Sequence, residues 1–170
     1  MNPTDLILPR VKRQPKATPT TKFAYELKLT RSPIPGFPSR LMSDPAEVAK
    51  FLYSLGLAEA PEERFVVLGL DTRNALIAYT ELTRGTVDRS IVHPREVFRF
   101  AVLAGASRIF LAHNHPSGDL SPSPQDLKVT ESLRDAGQVV GIEVLDHLIV
   151  GYSLSMGQRH YTSLRERGCI

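Results

Sequence analysis

At 170 residues with 42% hydrophobic content, the chain is long enough to close one hydrophobic core and short for two independent ones. Its apolar runs fall far below the roughly 20 residues that cross a bilayer, and no basic, apolar, small-residue leader pattern opens it, so a soluble cytoplasmic protein is expected. The net charge of +3 is mild, and the single cysteine, Cys169, excludes both an internal disulfide framework and a cysteine-based zinc cluster, leaving histidine and carboxylate to hold any metal.

Seven basic residues (Arg10, Lys12, Arg13, Lys16, Lys22, Lys28, Arg31) precede position 32, opposed there by Asp5 and Glu26. Residues 1–33 therefore read as a basic N-terminal arm and 34–170 as the folded domain. Met1 to about Thr21 is Pro-, Thr- and Lys/Arg-rich with little apolar periodicity, the pattern of an extended or disordered segment. Its charges offer a contact for nucleic acid or an acidic partner surface, but no aromatic residues are interleaved among them, and a solvated tail has the same composition. Lys22–Arg31 (KFAYELKLTR) alternates well enough for an edge strand, and the Pro-rich Ile34–Pro38 reads as a linker.

Asp44-Pro45-Ala46-Glu47 has the order of a helix start, with a cap acceptor, Pro at the first helical position and an acid that can reach back; the helix should run to about Leu57. Arg64–Leu70 (RFVVLGL) suits a buried strand, and Asp71-Thr72-Arg73-Asn74 supplies a turn into a second strand, Ala75–Leu82, forming an antiparallel hairpin. His93-Pro94-Arg95-Glu96 opens a helix ending near Gly105, and Ser107–Ala112 (SRIFLA) returns as a buried strand. Ser123-Pro124-Gln125-Asp126 repeats the capped start, predicting a helix from Pro124 to about Ala136 that stops at Gly137. Val139–Val150 is β-rich, as two strands or one bent one; Gly151–Ile170 is the least legible stretch. This order of helices and strands predicts a two- or three-layer α/β domain with a mixed sheet.

His113-Asn114-His115 follows the SRIFLA strand, where an i, i+2 pair on extended backbone points both imidazoles to one side. Asp126, in the first turn of the next helix, can be folded back toward them by the Pro116-Ser117-Gly118-Asp119 turn. Two imidazoles and a carboxylate are suitable zinc ligands and leave a fourth position for water. Alone, the two histidines fit equally well as a hydrogen-bonded pair at a strand end.

The run HNHPSGDLSPSPQD resembles the metal signature of the JAB/MPN (JAMM) metalloenzymes: His113, His115, Ser123 and Asp126 fit every spacing. HNHPSGD, the upstream RGTVDRSIVHPREVF and the downstream GIEVLDHLIVG are similar to the RadC-like branch of that superfamily, and the resemblance spans about Ser43 to the C-terminus. It implies a cytidine-deaminase-like α/β domain with a mixed sheet flanked by helices. It also implies a Zn2+ held by His113, His115 and Asp126 in a metallopeptidase or isopeptidase, with a peptide or isopeptide as substrate. A glutamate at the start of an early strand is the implied general base acting on water at the metal. The RadC-like pattern E-x-F selects Glu63 over its neighbour Glu62, and Glu81 on the second strand is the remaining candidate. Ser123 is the implied oxyanion donor; it also suits the cap of the following helix, and one hydroxyl can do both.

A deaminase would need a C-x-x-C pair that one cysteine cannot supply. Asn114 stands where deubiquitinating members carry Ser or Thr, which weakens any inference to ubiquitin. The letters H-N-H do not reproduce the nuclease motif of that name, whose residues are spread over a hairpin and a helix. His93, Arg95, Asp146 and His147 belong to the RadC-like motifs without roles that spacing reveals; Asp146-His147 reads as a buried hydrogen-bonded pair or as support for the metal site. His160 is expected at the surface. The alternative reading is a DNA-associated protein, in repair or processing, whose metal domain is a scaffold. The basic arm alone supports it, and the helix-hairpin-helix segment of longer RadC-like proteins is not recognisable in these residues.

Overall fold

A computed structural model describes residues 41–85, 92–153 and 157–170. The arm, the edge strand expected at Lys22–Arg31 and the Ile34–Pro38 linker lie outside the described residues. Helix α1 (Pro45–Ser54) starts where its sequence order predicts, with the Asp44 carboxylate accepting from the Ala46 amide at 2.8 Å. It stops short of Leu57 because Gly56 turns left-handed at φ 70° and the Leu57 amide bonds back to the Leu52 carbonyl at 3.2 Å.

Strands β1 (Arg64–Leu70) and β2 (Leu76–Arg84) form the expected hairpin. Its turn is held by the Asp71 carboxylate, which accepts from the amides of Arg73 at 2.8 Å and Ala75 at 2.9 Å. Helix α2 (Pro94–Ala104) is capped by His93, whose Nδ1 accepts from the Arg95 amide at 3.1 Å, giving one of the unassigned RadC-like residues a local role. Strand β3 (Arg108–Asn114), helix α3 (Pro124–Val140), strand β4 (Glu143–Ser153) and strand β5 (Gln158–Ser163) complete the order.

The sheet runs β2-β1-β3-β4-β5, with β3 and β4 parallel and every other pair antiparallel. Along β1, Val66, Leu68 and Leu70 pack into a cluster with α1, whereas Phe65 and Val67 pack into a second cluster with α2 and α3. Helices therefore cover both faces in three layers, which is why RFVVLGL and RIFLA are almost unbroken apolar runs. Among the described residues no helix is long and apolar enough to cross a membrane.

Two expectations fail around α3. The helix does not stop at Gly137 but continues to Val140 and closes at Gly141, left-handed at φ 77°. Gly137 is there for packing: a Cβ on it would lie 2.5 Å from the Ile142 carbonyl oxygen and 3.3 Å from Phe98 Cζ. Val139 and Val140 are thus helical, and β4 is one strand from Glu143, with a bulge at Leu145 between the pairs Ile109–Val144 and Phe110–Asp146. By shifting the register one residue, that bulge sets His147 rather than Asp146 opposite Leu111, on the face that carries His113. His160, expected at the surface, is half-buried, with its Nε2 enclosed and unpartnered.

Candidate metal centre

β3 and β4 run parallel because α3 crosses between them, which brings the end of β3 to the N-terminus of α3. His113, one residue before the end of β3, projects to the α2/α3 face, and His115 lies just past the strand, its amide donating to the Val150 carbonyl at 3.1 Å. From the opposite side Asp126 arrives on the first turn of α3. A capping box holds it there: the Ser123 amide donates to Asp126 Oδ2 at 2.7 Å and the Asp126 amide to Ser123 Oγ at 3.2 Å. His113, His115 and Asp126 thereby offer ligand atoms that all lie within 4.8 Å of one another.

The separations are close: His113 Nε2 to His115 Nε2 3.0 Å, His113 Nε2 to Asp126 Oδ1 3.4 Å, and His115 Nε2 to Asp126 Oδ2 3.6 Å. His115 donates its Nδ1 hydrogen to the Asp119 carbonyl at 2.5 Å, which leaves Nε2 facing the cluster. Gly118 permits this loop: at φ 78° it lies so near β4 that a Cβ would sit 2.9 Å from the Tyr152 carbonyl oxygen. Two ring nitrogens and a carboxylate pointed at one spot repel unless a cation or a proton lies between them. The electrostatics agree. Hydrogen bonding to Asp126 raises the His115 pKa against the opposing effect of burial. Burial works to raise the Asp126 carboxyl, yet the facing His113 and His115 rings and the Ser123 side chain hold it far below the carboxylate range.

Behind the cluster the site is buried. His113 is 1% exposed and His147 is fully enclosed; their facing nitrogens, His113 Nδ1 and His147 Nε2, are 2.8 Å apart. Phe65, the partner of His113 across β1–β3, stacks near-parallel on its ring and packs edge-on against His147. Burial depresses the His147 pKa well below its ordinary value, so this imidazole stays neutral. Asp146 takes no part: its carboxylate accepts from Ser163 Oγ at 2.5 Å and the Arg165 amide at 3.0 Å, tying down the C-terminal turn.

The three candidate glutamates separate by partner. Glu62 is held by Arg64 at 2.7 Å and lies 3.9 Å from Arg84; Glu81 is held by Arg84 at 2.7 Å and lies 3.6 Å from Arg64. Glu63 instead lines a small cleft of about 40 Å³ together with Phe65, Thr83, Asp126 and His147. Asn114 places it. Buried between the two histidines on the opposite face of the strand, Asn114 accepts from the Arg64 amide at 2.8 Å and donates to the carbonyls of Glu62 at 3.1 Å and Ala60 at 3.2 Å. Spacing alone did not single out this anchor, nor Thr130 behind His147; a polar residue on the buried face of α3, four positions after Asp126, was the available signal for the second.

A family model described as the RadC-like JAB domain matches residues 42–169. Among similar curated proteins is a UPF0758 protein of Methanosarcina mazei, 39% identical over 133 residues, which cover 78% of this chain and 55% of that protein. The UPF0758 protein sll0766 of Synechocystis is 41% identical over 128 residues, 75% of this chain and 53% of the relative. The UPF0758 protein STH371 of Symbiobacterium thermophilum is 45% identical over 129 residues, 76% and 52% respectively. The chain spans about half the length of the curated relatives it matches. With the mixed five-stranded sheet and the His113, His115 and Asp126 cluster at its predicted place, the chain belongs to the RadC-like JAB domain family.

Proposed function

We propose that the domain is a zinc-dependent hydrolase of peptide or isopeptide bonds, with His113, His115 and Asp126 as ligands, Glu63 as general base and Ser123 as oxyanion donor. The observation that carries this reading is the ligand spacing. Zinc bonds of about 2.0–2.1 Å in a tetrahedron separate neighbouring ligand atoms by about 3.3 Å. The nearest approaches, 3.0 Å between the two Nε2 atoms, 3.4 Å from His113 to Asp126 Oδ1 and 3.6 Å from His115 to Asp126 Oδ2, lie close to that edge; with one ligand atom per residue the three stay within 4.8 Å of one another, and both imidazoles turn Nε2 inward. When bound, zinc supplies a Lewis acid that makes water acidic near neutral pH.

The chain's own residues supply the rest. Glu63, free of the ion pairs that engage Glu62 and Glu81, takes the proton of the attacking water and returns it to the leaving amine. The Ser123 hydroxyl oxygen accepts from the Asp126 amide at 3.2 Å, and its hydrogen turns to donate to the oxygen that gains charge as the carbonyl is attacked. Phe65, His113 and His147 close the rear of the site against water, so these contacts act in a low-dielectric setting.

Zinc titration with metal analysis, followed by a screen of peptide and isopeptide-linked substrates, tests the reading. The chain should take up one zinc per site; His113→Ala and Asp126→Ala should lose it, whereas Glu63→Gln should keep it and lose turnover by at least about 100-fold. Full zinc content in either ligand variant overturns the ligand set, and undiminished turnover in Glu63→Gln returns the base role to another group.

A further inference from the structure

Three short hydrogen-bond contacts behind the site constrain where one proton resides. Thr130 Oγ1 lies 2.6 Å from the Asp126 backbone carbonyl and 2.6 Å from His147 Nδ1, and His147 Nε2 lies 2.8 Å from His113 Nδ1. A carbonyl only accepts, and two oxygens at 2.6 Å repel unless a hydrogen lies between them, so the single Thr130 hydroxyl hydrogen is committed to Asp126. The Thr130 oxygen must then accept from His147 Nδ1. A neutral His147 with its hydrogen on Nδ1 has a bare Nε2, which accepts from His113 Nδ1. His113 is left with a bare Nε2, the atom turned toward His115 and Asp126.

We propose that Thr130 and His147 are positioning residues that lock His113 in its metal-binding tautomer through a one-way hydrogen-bond chain starting at the Asp126 carbonyl. The proposal rests on the zinc-site reading above. Thr130 and His147 are 0% exposed, and Phe65 packs against the rings of His113 and His147, which holds them from turning to new partners. The chain also ties ligand to ligand: the residue whose side chain is one ligand provides, through its own backbone, the acceptor that orients another. Removing the Thr130 hydroxyl leaves His147 Nδ1–H buried without an acceptor. The favoured arrangement then moves that hydrogen to Nε2, which donates to His113 Nδ1 and forces a hydrogen onto His113 Nε2, where it blocks the metal.

The experiment compares wild type, Thr130→Val and Thr130→Ser in two ways. Ring-nitrogen chemical shifts of the metal-free protein, from long-range 1H–15N correlation, identify the tautomers; zinc competition against a chromophoric chelator gives affinity. Wild type should show His113 and His147 both protonated at Nδ1. Thr130→Val should show His113 protonated at Nε2 and bind zinc about 10–100-fold more weakly, and Thr130→Ser should restore both readouts. A wild-type spectrum with His113 protonated at Nε2 overturns the proposal without any variant, including if Thr130→Val fails to fold. Wild-type affinity in a folded Thr130→Val overturns it too. A wild type that takes up no zinc at all would instead overturn the metal-site reading, while its spectrum still decides the tautomer.

Discussion

Replacing Asn114 with alanine removes the anchor of the segment that carries Glu63 while leaving the ligands in place. Three hydrogen bonds disappear, to the Arg64 amide and to the Glu62 and Ala60 carbonyls, and the side chain that made them is fully buried. At about 1 kcal/mol net for each bond the loss is about 3 kcal/mol. For a domain of this size that lowers the unfolding midpoint by roughly 10 °C. His113 and His115 project from the other face of the strand, so zinc affinity should change little. Turnover should fall by about 100-fold, because a displacement of Glu63 near 1 Å misaligns the proton transfer. Hydrogen exchange gives the local reading: the Arg64 amide, which now donates to Asn114 Oδ1, should lose protection, while amides in the middle of β3 keep theirs. An unchanged Arg64 protection factor with a midpoint within about 2 °C of wild type would refute the anchoring role.

Gly137→Ala should destabilise by about 1–3 kcal/mol, because the new Cβ meets a backbone carbonyl at 2.5 Å and that clash outweighs the helix propensity alanine gains. A urea midpoint at or above wild type would contradict this. Asp146→Ala should cost about 2–4 kcal/mol and expose the Arg165 amide to exchange, yet leave zinc affinity intact, since Asp146 faces away from the cluster; a large affinity loss would return Asp146 to the metal site. The metal-free protein should respond to pH through His115. Asp126 raises the folded-state pKa of His115, so its contribution is fully present below about 6.5 and fades as pH rises through the raised value. Zinc affinity should climb over the same window as that proton leaves. Chelator-treated wild type and Asp126→Asn compared by urea unfolding at pH 6 and pH 9 would reveal the first effect, and identical pH trends in the two would exclude it.

Legibility in the sequence followed the range of the interaction responsible. Caps at Asp44, His93 and Ser123 are local, so every described helix starts where the sequence order places it. The ends were harder: Gly137 looks like a terminator by residue type, and only the approach of the Ile142 carbonyl reveals it as a packing glycine. The cluster of His113, His115 and Asp126 was legible because its members fall within one short run, whereas Asn114 and Thr130 act on partners 50 and 17 residues away, which spacing cannot disclose. The ion pairs that hold Glu62 to Arg64 and Glu81 to Arg84 depend on the hairpin register, which spacing does not reveal either. β5 is polar at every position but Tyr161, so alternation did not mark it as a strand.

The pairing of β1 with β3, which sets Phe65 opposite His113, also dictates the order of assembly. Phe65 and His113 meet only after a strand from early in the chain has docked against one some fifty residues later, and His147 joins once the α3 crossover has closed. Non-local closures of this kind are the slow steps of folding. An ion captured by the nascent chain would find two histidines and no shaped receptacle. A metal bound as proposed would therefore be a late arrival, admitted to a finished lattice of strands. Ion supply would then govern how much of the protein is charged with metal, and chain topology how fast the receptacle forms.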